Sequence, residues 1–174
     1  GSERGFARIL GSYADAGNYK DGDGESVRSA YTESAGTAIL GYTPEDHTRL
    51  ELSYEAQRTR DVLFAGAGMD SPISDADTVR LKFEKTAIGG LLDAFKAEIY
   101  NADIDHVMDN YTLREPANPM MLMRAPSTSD TIGGRVLFDV GDLNGYGLWK
   151  IGFDVQNNER DAVRVNDYNG MLNS

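Results

Sequence analysis

The stretch TRLELSYEA, residues 48–56, alternates apolar and polar side chains without a break. Successive side chains of a β-strand point to opposite faces of its sheet. The pattern therefore predicts a strand with one apolar face and one strongly charged face. The apolar face takes Leu50, Leu52, Tyr54 and Ala56, and the polar face takes Arg49, Glu51, Ser53 and Glu55.

The same period of two recurs along the whole chain, and no stretch has the 3.6-residue period of an amphipathic helix. It is clearest in residues 78–85 and 148–156, and weaker in 5–14, 31–42, 94–108 and 133–140. The sequence therefore predicts an all-β protein of seven antiparallel strands.

The connections between these strands alternate strictly between short and long. The short ones are residues 43–47, 86–91 and 141–147, and the long ones are 15–30, 57–77, 109–130 and 157–174. Short turns at one end and long loops at the other are typical of outer-membrane β-barrels. Strands of about 9–11 residues also suit a bilayer. A soluble β-sandwich with one solvated face stays open as the alternative.

The two faces of the strands fit the barrel interpretation. Charged residues such as Glu51, Arg80 and Lys82 suit a solvated inner wall, and the apolar faces suit lipid. Trp149 and Tyr42 come at the short-turn ends of their strands, where barrels carry aromatic girdles. Seven strands do not close a bacterial barrel, which has an even number, so we expect a transmembrane segment of a larger barrel.

Composition excludes several other classes of protein. The 174 residues carry a formal charge of −11, which argues against a nucleic-acid partner. The chain has no cysteine, so disulfides and thiolate metal sites are excluded within it. It opens with GSERGF instead of a start methionine, and we expect a processed chain or an excised piece. No Ser/His/Asp or paired-carboxylate arrangement suggests an enzyme.

A candidate metal site lies in DHVMDN, residues 105–110. Strand parity places His106 and Met108 on the same face as Lys96 and Glu98, which is the inner face of a barrel. This strand starts at a short turn, so both residues are expected near the outer mouth. Imidazole and thioether together suit copper, and thioether favours Cu(I). A hydrogen-bonded histidine with a methionine packed beside it is the alternative.

Further methionines and a second histidine receive a plainer interpretation. Met69, Met120, Met121 and Met123 are expected in loops, where they pack on neighbours or capture copper transiently. His47 follows Pro44 in a short turn, at the membrane side opposite His106. DGDGE, residues 21–25, lacks the later ligands of a calcium loop and is expected to be an acidic loop.

Several of these segments carry a resemblance to a known family. DGDG (21–24), GYTPEDHTRLEL (41–52), FAGAGMD (64–70) and DHVMDNYTLR (105–114) resemble the first part of the barrel of a TonB-dependent copper receptor. The resemblance covers residues 5–170, about a third of such a barrel.

This resemblance implies a 22-stranded barrel with an N-terminal plug domain in the bacterial outer membrane, energised by the TonB complex. It also implies a copper site in which H-x-M, here His106 and Met108, is completed by C-x-x-x-M from a plug that this chain lacks. A receptor for a siderophore, haem or another metal chelate, and a soluble β-sheet binding or structural protein, remain alternatives.

Overall fold

The computed structural model describes residues 4–141 and 147–167, and all regular structure there is β-strand. The strands are β1 (Gly5–Ala16), β2 (Tyr19–Lys20), β3 (Ser26–Val27), β4 (Tyr31–Tyr42), β5 (Thr48–Val62), β6 (Asp70–Gly89), β7 (Leu92–Asp109), β8 (Leu122–Val140), β9 (Trp149–Ala162) and β10 (Val165–Asp167). The described residues contain no helix long and apolar enough to cross a membrane.

Seven long strands form one antiparallel sheet in chain order, with β1 at one edge and β9 at the other. β10 continues along β8 beyond the end of β9. β2 and β3 form a small separate hairpin. The all-β prediction and its seven main strands are confirmed.

The alternation of connections defines two ends of the sheet. At the turn end lie residues 43–47, as predicted, and a tight connection that consists of Gly90 and Leu91 only. Gly89 and Gly90 have φ of 92° and 72°, which a side chain would strain. The predicted turn at 141–147 lies mostly outside the described residues. The segments 17–30, 63–69 and 110–121 gather at the opposite, loop end.

The predicted lengths of two loops were wrong. Most of 57–77 is strand, and in 109–130 the strands take Asp109 and residues 122–130, because β5, β6 and β8 each extend far toward the loop end. In these extensions neither face is consistently apolar, so they lack the alternation by which a strand is detected. Segment 157–174 likewise begins as strand, since β9 runs to Ala162.

One face of the sheet carries an apolar belt across the half nearer the turn end. Its rows follow the register, as in Ala7, Leu40, Leu52, Leu81, Ile99, Gly134 and Val155. Phe95 packs between Phe83 and Phe138, with ring centroids at 6.1 and 5.2 Å. Many members of the belt remain exposed, Ile99 at 60% and Phe153 at 67%.

The described residues bury almost no hydrophobic side chain, since Ala94 alone falls in that class. A soluble sandwich would cover one apolar face with a second sheet, and none of the described strands does so. An exposed apolar surface of this extent is typical of a site of contact with other protein or with a membrane.

The opposite face carries a charged wall, comprising Arg49, Glu51, Arg80, Lys82, Glu84, Lys96, Glu98 and Arg135. Glu98 lies among three cations, with N–O distances of 3.5 Å to Arg80, 3.8 Å to Lys82 and 3.7 Å to Arg135. The nearest amine and carboxylate atoms of Lys96 and Glu84 are 2.7 Å apart. Interleaved charges of both signs make this face stable in contact with water.

Large side chains on the charged face lie flat against glycines of neighbouring strands. A Cβ at Gly133 would come within 2.5 Å of the Tyr100 ring, whose hydroxyl reaches Gln156 two strands away at 3.1 Å. Phe6 covers Gly41 in the same manner. These glycines keep the wall shallow, because the aromatic rings lie along it instead of projecting from it.

Candidate metal site

His106 and Met108 lie on β7 near the loop end, on the face of the charged wall. The register pairs His106 with Ser74 of β6 and with Ser127 of β8. Met108 pairs with Ala125 of β8. The strand runs without a bulge from Ala94 to Asp109 against β8, so the parity argument from the sequence holds throughout.

The neighbours of this pair are small, which leaves its side chains room to meet a ligand. Ser74 and Ser127 flank His106 on the neighbouring strands, Ala125 pairs with Met108, and both His106 and Met108 remain half-buried. Within residues 4–141 and 147–167, no group hydrogen-bonds the His106 imidazole; Ser127 Oγ donates to the His106 carbonyl at 3.4 Å. None of the described groups occupies the ring nitrogens, so both can bind an external partner.

A β-bulge in β6 lies directly opposite Met108. Asp70 pairs with Asp109 and Ile73 pairs with Val107, so two residues of β6, Ser71 and Pro72, face one residue of β7. Pro72 has no N–H to donate to the ladder, which fits an irregular position. Bulges turn nearby side chains and are frequent beside functional sites.

A buried carboxylate fixes this bulge to the loops. Asp70 is fully buried. Its Oδ2 accepts from Arg28 Nη2 at 2.5 Å and from Arg114 Nε at 2.8 Å. Its Oδ1 accepts from Arg114 Nη2 at 2.5 Å and from the Phe64 N–H at 2.9 Å. We name Arg28, Asp70 and Arg114 the loop clamp, because the three residues join all three loop-end segments.

The two arginines of the clamp also bind loop carbonyls. Arg114 donates to Ala67 O at 2.6 Å and to Phe64 O at 3.0 Å, and Arg28 donates to Leu113 O at 3.1 Å. Burial opposes the ionisation of Asp70, but the hydrogen bonds from Arg114, Phe64 and Arg28 outweigh it and lower its pKa to about 2. The clamp is thus an ion cluster at neutral pH.

Asp109, the residue after Met108, closes the end of β7. Its Oδ1 accepts from the N–H groups of Tyr111 and Thr112, at 3.2 and 2.7 Å, and its Oδ2 accepts from Thr112 Oγ1 at 2.5 Å. Asn110 then bonds the backbone of Met121 and Met123. The two residues that follow Met108 are therefore held in place by buried polar contacts.

The structure separates the other methionines into two groups. Met123, expected in a loop, is a residue of β8 on the same face as Met108, and its Sδ accepts from Arg164 Nη2 at 3.0 Å. Pro126, counted with that loop from the sequence, is also in β8. Met69, Met120 and Met121 lie in loops, the last two 59% and 43% exposed.

The second histidine lies at the other end of the sheet. His47 occupies the turn between β4 and β5 with φ 65°, and its carbonyl accepts from the Thr86 N–H at 2.8 Å. In the loop at 21–25, Asp21 Oδ1 accepts from the N–H groups of Asp23 and Glu25. Among the described residues, no three His, Asp or Glu side chains are grouped to hold a metal ion.

Comparison with solved structures finds similar chains. The chain is similar to "Copper transporter OprC", with a TM-score of 0.87 and 28% sequence identity. The match covers 94% of this chain and 26% of the transporter, so this chain spans about a quarter of that protein's length. No family model and no curated protein matches the sequence.

The loop clamp is the part of this region that the sequence did not reveal. Arg28, Asp70 and Arg114 are separated by 42 and 44 residues, and single charged residues in long connections carry no pattern. One signal was present: Asp70 and Arg114 each lie in a segment that carried the family resemblance.

Proposed function

We propose that this chain is the early part of an outer-membrane β-barrel receptor that takes up copper. His106 and Met108 bind the ion at the outer side of the lumen, and the missing ligands come from a plug domain outside this chain. The remaining strands of the barrel also lie outside it. The receptor binds and admits its cargo without changing it chemically, so it is not an enzyme.

The two faces of the sheet support the membrane part of this proposal. The apolar belt faces lipid, and the charged wall faces a water-filled lumen closed by further strands. The turn end then lies on the periplasmic side, and the three loop-end segments lie outside. Energy for import comes from the TonB complex through the plug.

The position of His106 and Met108 carries the copper part. Both lie on the charged face, at the loop end, in a chain similar over 94% of its length to a copper transporter. An imidazole nitrogen and a thioether sulfur form a soft pair of ligands, which suits Cu(I). Hard ions such as Mg²⁺ and Ca²⁺ prefer oxygen ligands instead.

The test is copper binding by the full-length receptor purified in detergent. We expect His106→Ala/Met108→Ala to reduce bound Cu(I) from about one ion per receptor to almost none, because two ligands of one site are removed. Metal content after gel filtration, measured by mass spectrometry, gives the stoichiometry.

A matched control removes the same two residue types elsewhere. His47→Ala/Met120→Ala changes a turn histidine and an exposed loop methionine, and should retain the wild-type stoichiometry. Wild-type copper content in the His106/Met108 variant would refute the assigned ligands. Absence of copper from the wild-type receptor would refute the proposed cargo.

A further inference from the structure

A carboxylate on the far face of the sheet has no part in the copper site described above, although it anchors the segment opposite Met108. Asp70 pairs with Asp109 across the β6–β7 ladder. Paired residues share a face, so Asp70 lies on the face away from Met108. Its two oxygens are engaged by Arg28, Arg114 and Phe64. Asp70 is therefore not placed to bind the cargo itself.

The bulge provides the connection from Asp70 to the site. Ser71 and Pro72 directly follow Asp70 and face Met108 alone. Ser71 is 1% exposed, and its Oγ donates to the Ile73 carbonyl at 3.2 Å. The backbone of β6 opposite Met108 is thus fixed before Ser71 by the loop clamp at Asp70. After Pro72 it is fixed by the regular ladder, which resumes at Ile73.

We propose that Asp70 is a positioning residue for the copper site: bound to Arg28 and Arg114, it fixes the Ser71–Pro72 bulge and thereby the orientation of Met108 relative to His106. This inference rests on the proposed function. The three loops then form a rigid frame around the site, assembled before copper arrives. Groups that orient metal ligands typically change metal affinity 10- to 100-fold when they are removed.

The experiment is a double-mutant cycle in the full-length receptor, with Cu(I) as the probe and a competing Cu(I) chelator to measure affinity. Asp70→Asn keeps the size of the side chain and removes the charge that holds two arginines. We expect it to weaken Cu(I) binding about 10- to 100-fold. X-ray absorption should show fewer sulfur neighbours around its copper than in the wild type.

The second arm distinguishes positioning from general structural damage. If Asp70 acts through Met108, Asp70→Asn/Met108→Ala should bind Cu(I) as weakly as Met108→Ala alone, and no more weakly. Additive losses in the double variant would overturn the proposal. Asp77→Asn breaks another Asp–Arg pair of β6, with Arg58 at 2.8 Å, and should leave affinity unchanged.

The outcomes separate this inference from the proposed function. Wild-type affinity and sulfur coordination in Asp70→Asn, with Met108→Ala impaired, would overturn the role of Asp70 and leave the copper site in place. Wild-type binding by Met108→Ala would overturn the proposed ligand set as well. If Asp70→Asn does not insert into membranes, Arg114→Gln tests the same clamp, because Arg28 still holds the carboxylate.

Discussion

At the scale of single residues, Asp70 shows how a buried charge becomes compatible with a folded loop region. An unpaired carboxylate in such a position would be strongly destabilising. Four hydrogen bonds from two arginines and one backbone N–H satisfy both of its oxygens. Removal of one arginine would leave buried charge on Asp70 without compensation. The loss of stability would therefore be larger than the net contribution of that single contact.

The lowered pKa of Asp70 predicts that the loops open in acid. The carboxylate titrates at 3.8 ordinarily and at about 2 in the folded protein. Its ionised form therefore stabilises the clamp above about pH 4, and this contribution, about 2 kcal/mol, is lost as the pH falls toward 2. Pepsin cleavage of the loops, followed between pH 4 and 2, should accelerate in that window.

Asp70→Asn is the control for the acid effect. Its loops should be cleaved faster than wild type at pH 4, and the extra acceleration on further acidification should be reduced, because the titrating group is gone. Identical acid profiles for the two proteins would show that another group controls loop opening.

At the scale of elements, the strands change character along their length. Toward the loop end, the face that carries the apolar belt becomes acidic. Four carboxylates form one row across adjacent strands, an acidic row made of Asp77, Asp103, Asp130 and Glu159. Arg58 and Tyr54 contact Asp77, and Asn101 donates to Asp130 at 2.9 Å. On this face, the apolar belt thus gives way to the acidic row.

Neutralising the centre of the acidic row should stabilise the sheet. Asp103 directly faces both Asp77 and Asp130, and like charges at paired positions are destabilising. Asp103→Asn should raise the free energy of unfolding at low salt, because it removes this repulsion. Urea denaturation in detergent micelles, at low and high salt, measures the change.

Asp15→Asn supplies the comparison, since Asp15 pairs with Thr32 instead of another acid. It should leave the unfolding midpoint unchanged. High salt should reduce the difference in unfolding free energy between Asp103→Asn and the wild type, because screening weakens the repulsion. Destabilisation by Asp103→Asn would mean that its carboxylate makes a favourable contact that outweighs the repulsion.

At the scale of the whole molecule, the described long strands form a single sheet that buries almost no hydrophobic side chain. Within the described residues, no further strand pairs with the outer side of β1 or of β9, and no layer covers the apolar belt. An unpaired edge in lipid leaves backbone groups unsatisfied, which only further strands can correct. This agrees with a match to about a quarter of the transporter's length.

The isolated chain should therefore not fold in water. Residues 1–174, refolded from urea, are expected to aggregate in plain buffer and to gain β-structure only with detergent micelles, because the belt requires an apolar environment. Circular dichroism and size-exclusion chromatography provide the measurements. A soluble monomer with a cooperative unfolding transition would instead favour the β-sheet binding protein.

The amino-acid sequence by itself determined the seven long strands, their antiparallel arrangement and the face on which His106 and Met108 lie. Side-chain alternation is a local property, and strand parity carries it from Phe95 to Met108 without any distant contact. Even so, regular alternation stops in the parts of β5, β6 and β8 nearest the loop end, so their full lengths did not follow from it.

Only the tertiary structure decided what surrounds the pair. The bulge at Ser71 and Pro72 depends on the register between two strands, and the loop clamp joins residues from three separate connections. Contacts of this kind leave no periodic pattern, because each residue meets its partner across a distance in sequence that nothing local records. The spacing of His106 and Met108 could be recognised in the sequence, whereas the contacts around them form only when the strands have paired.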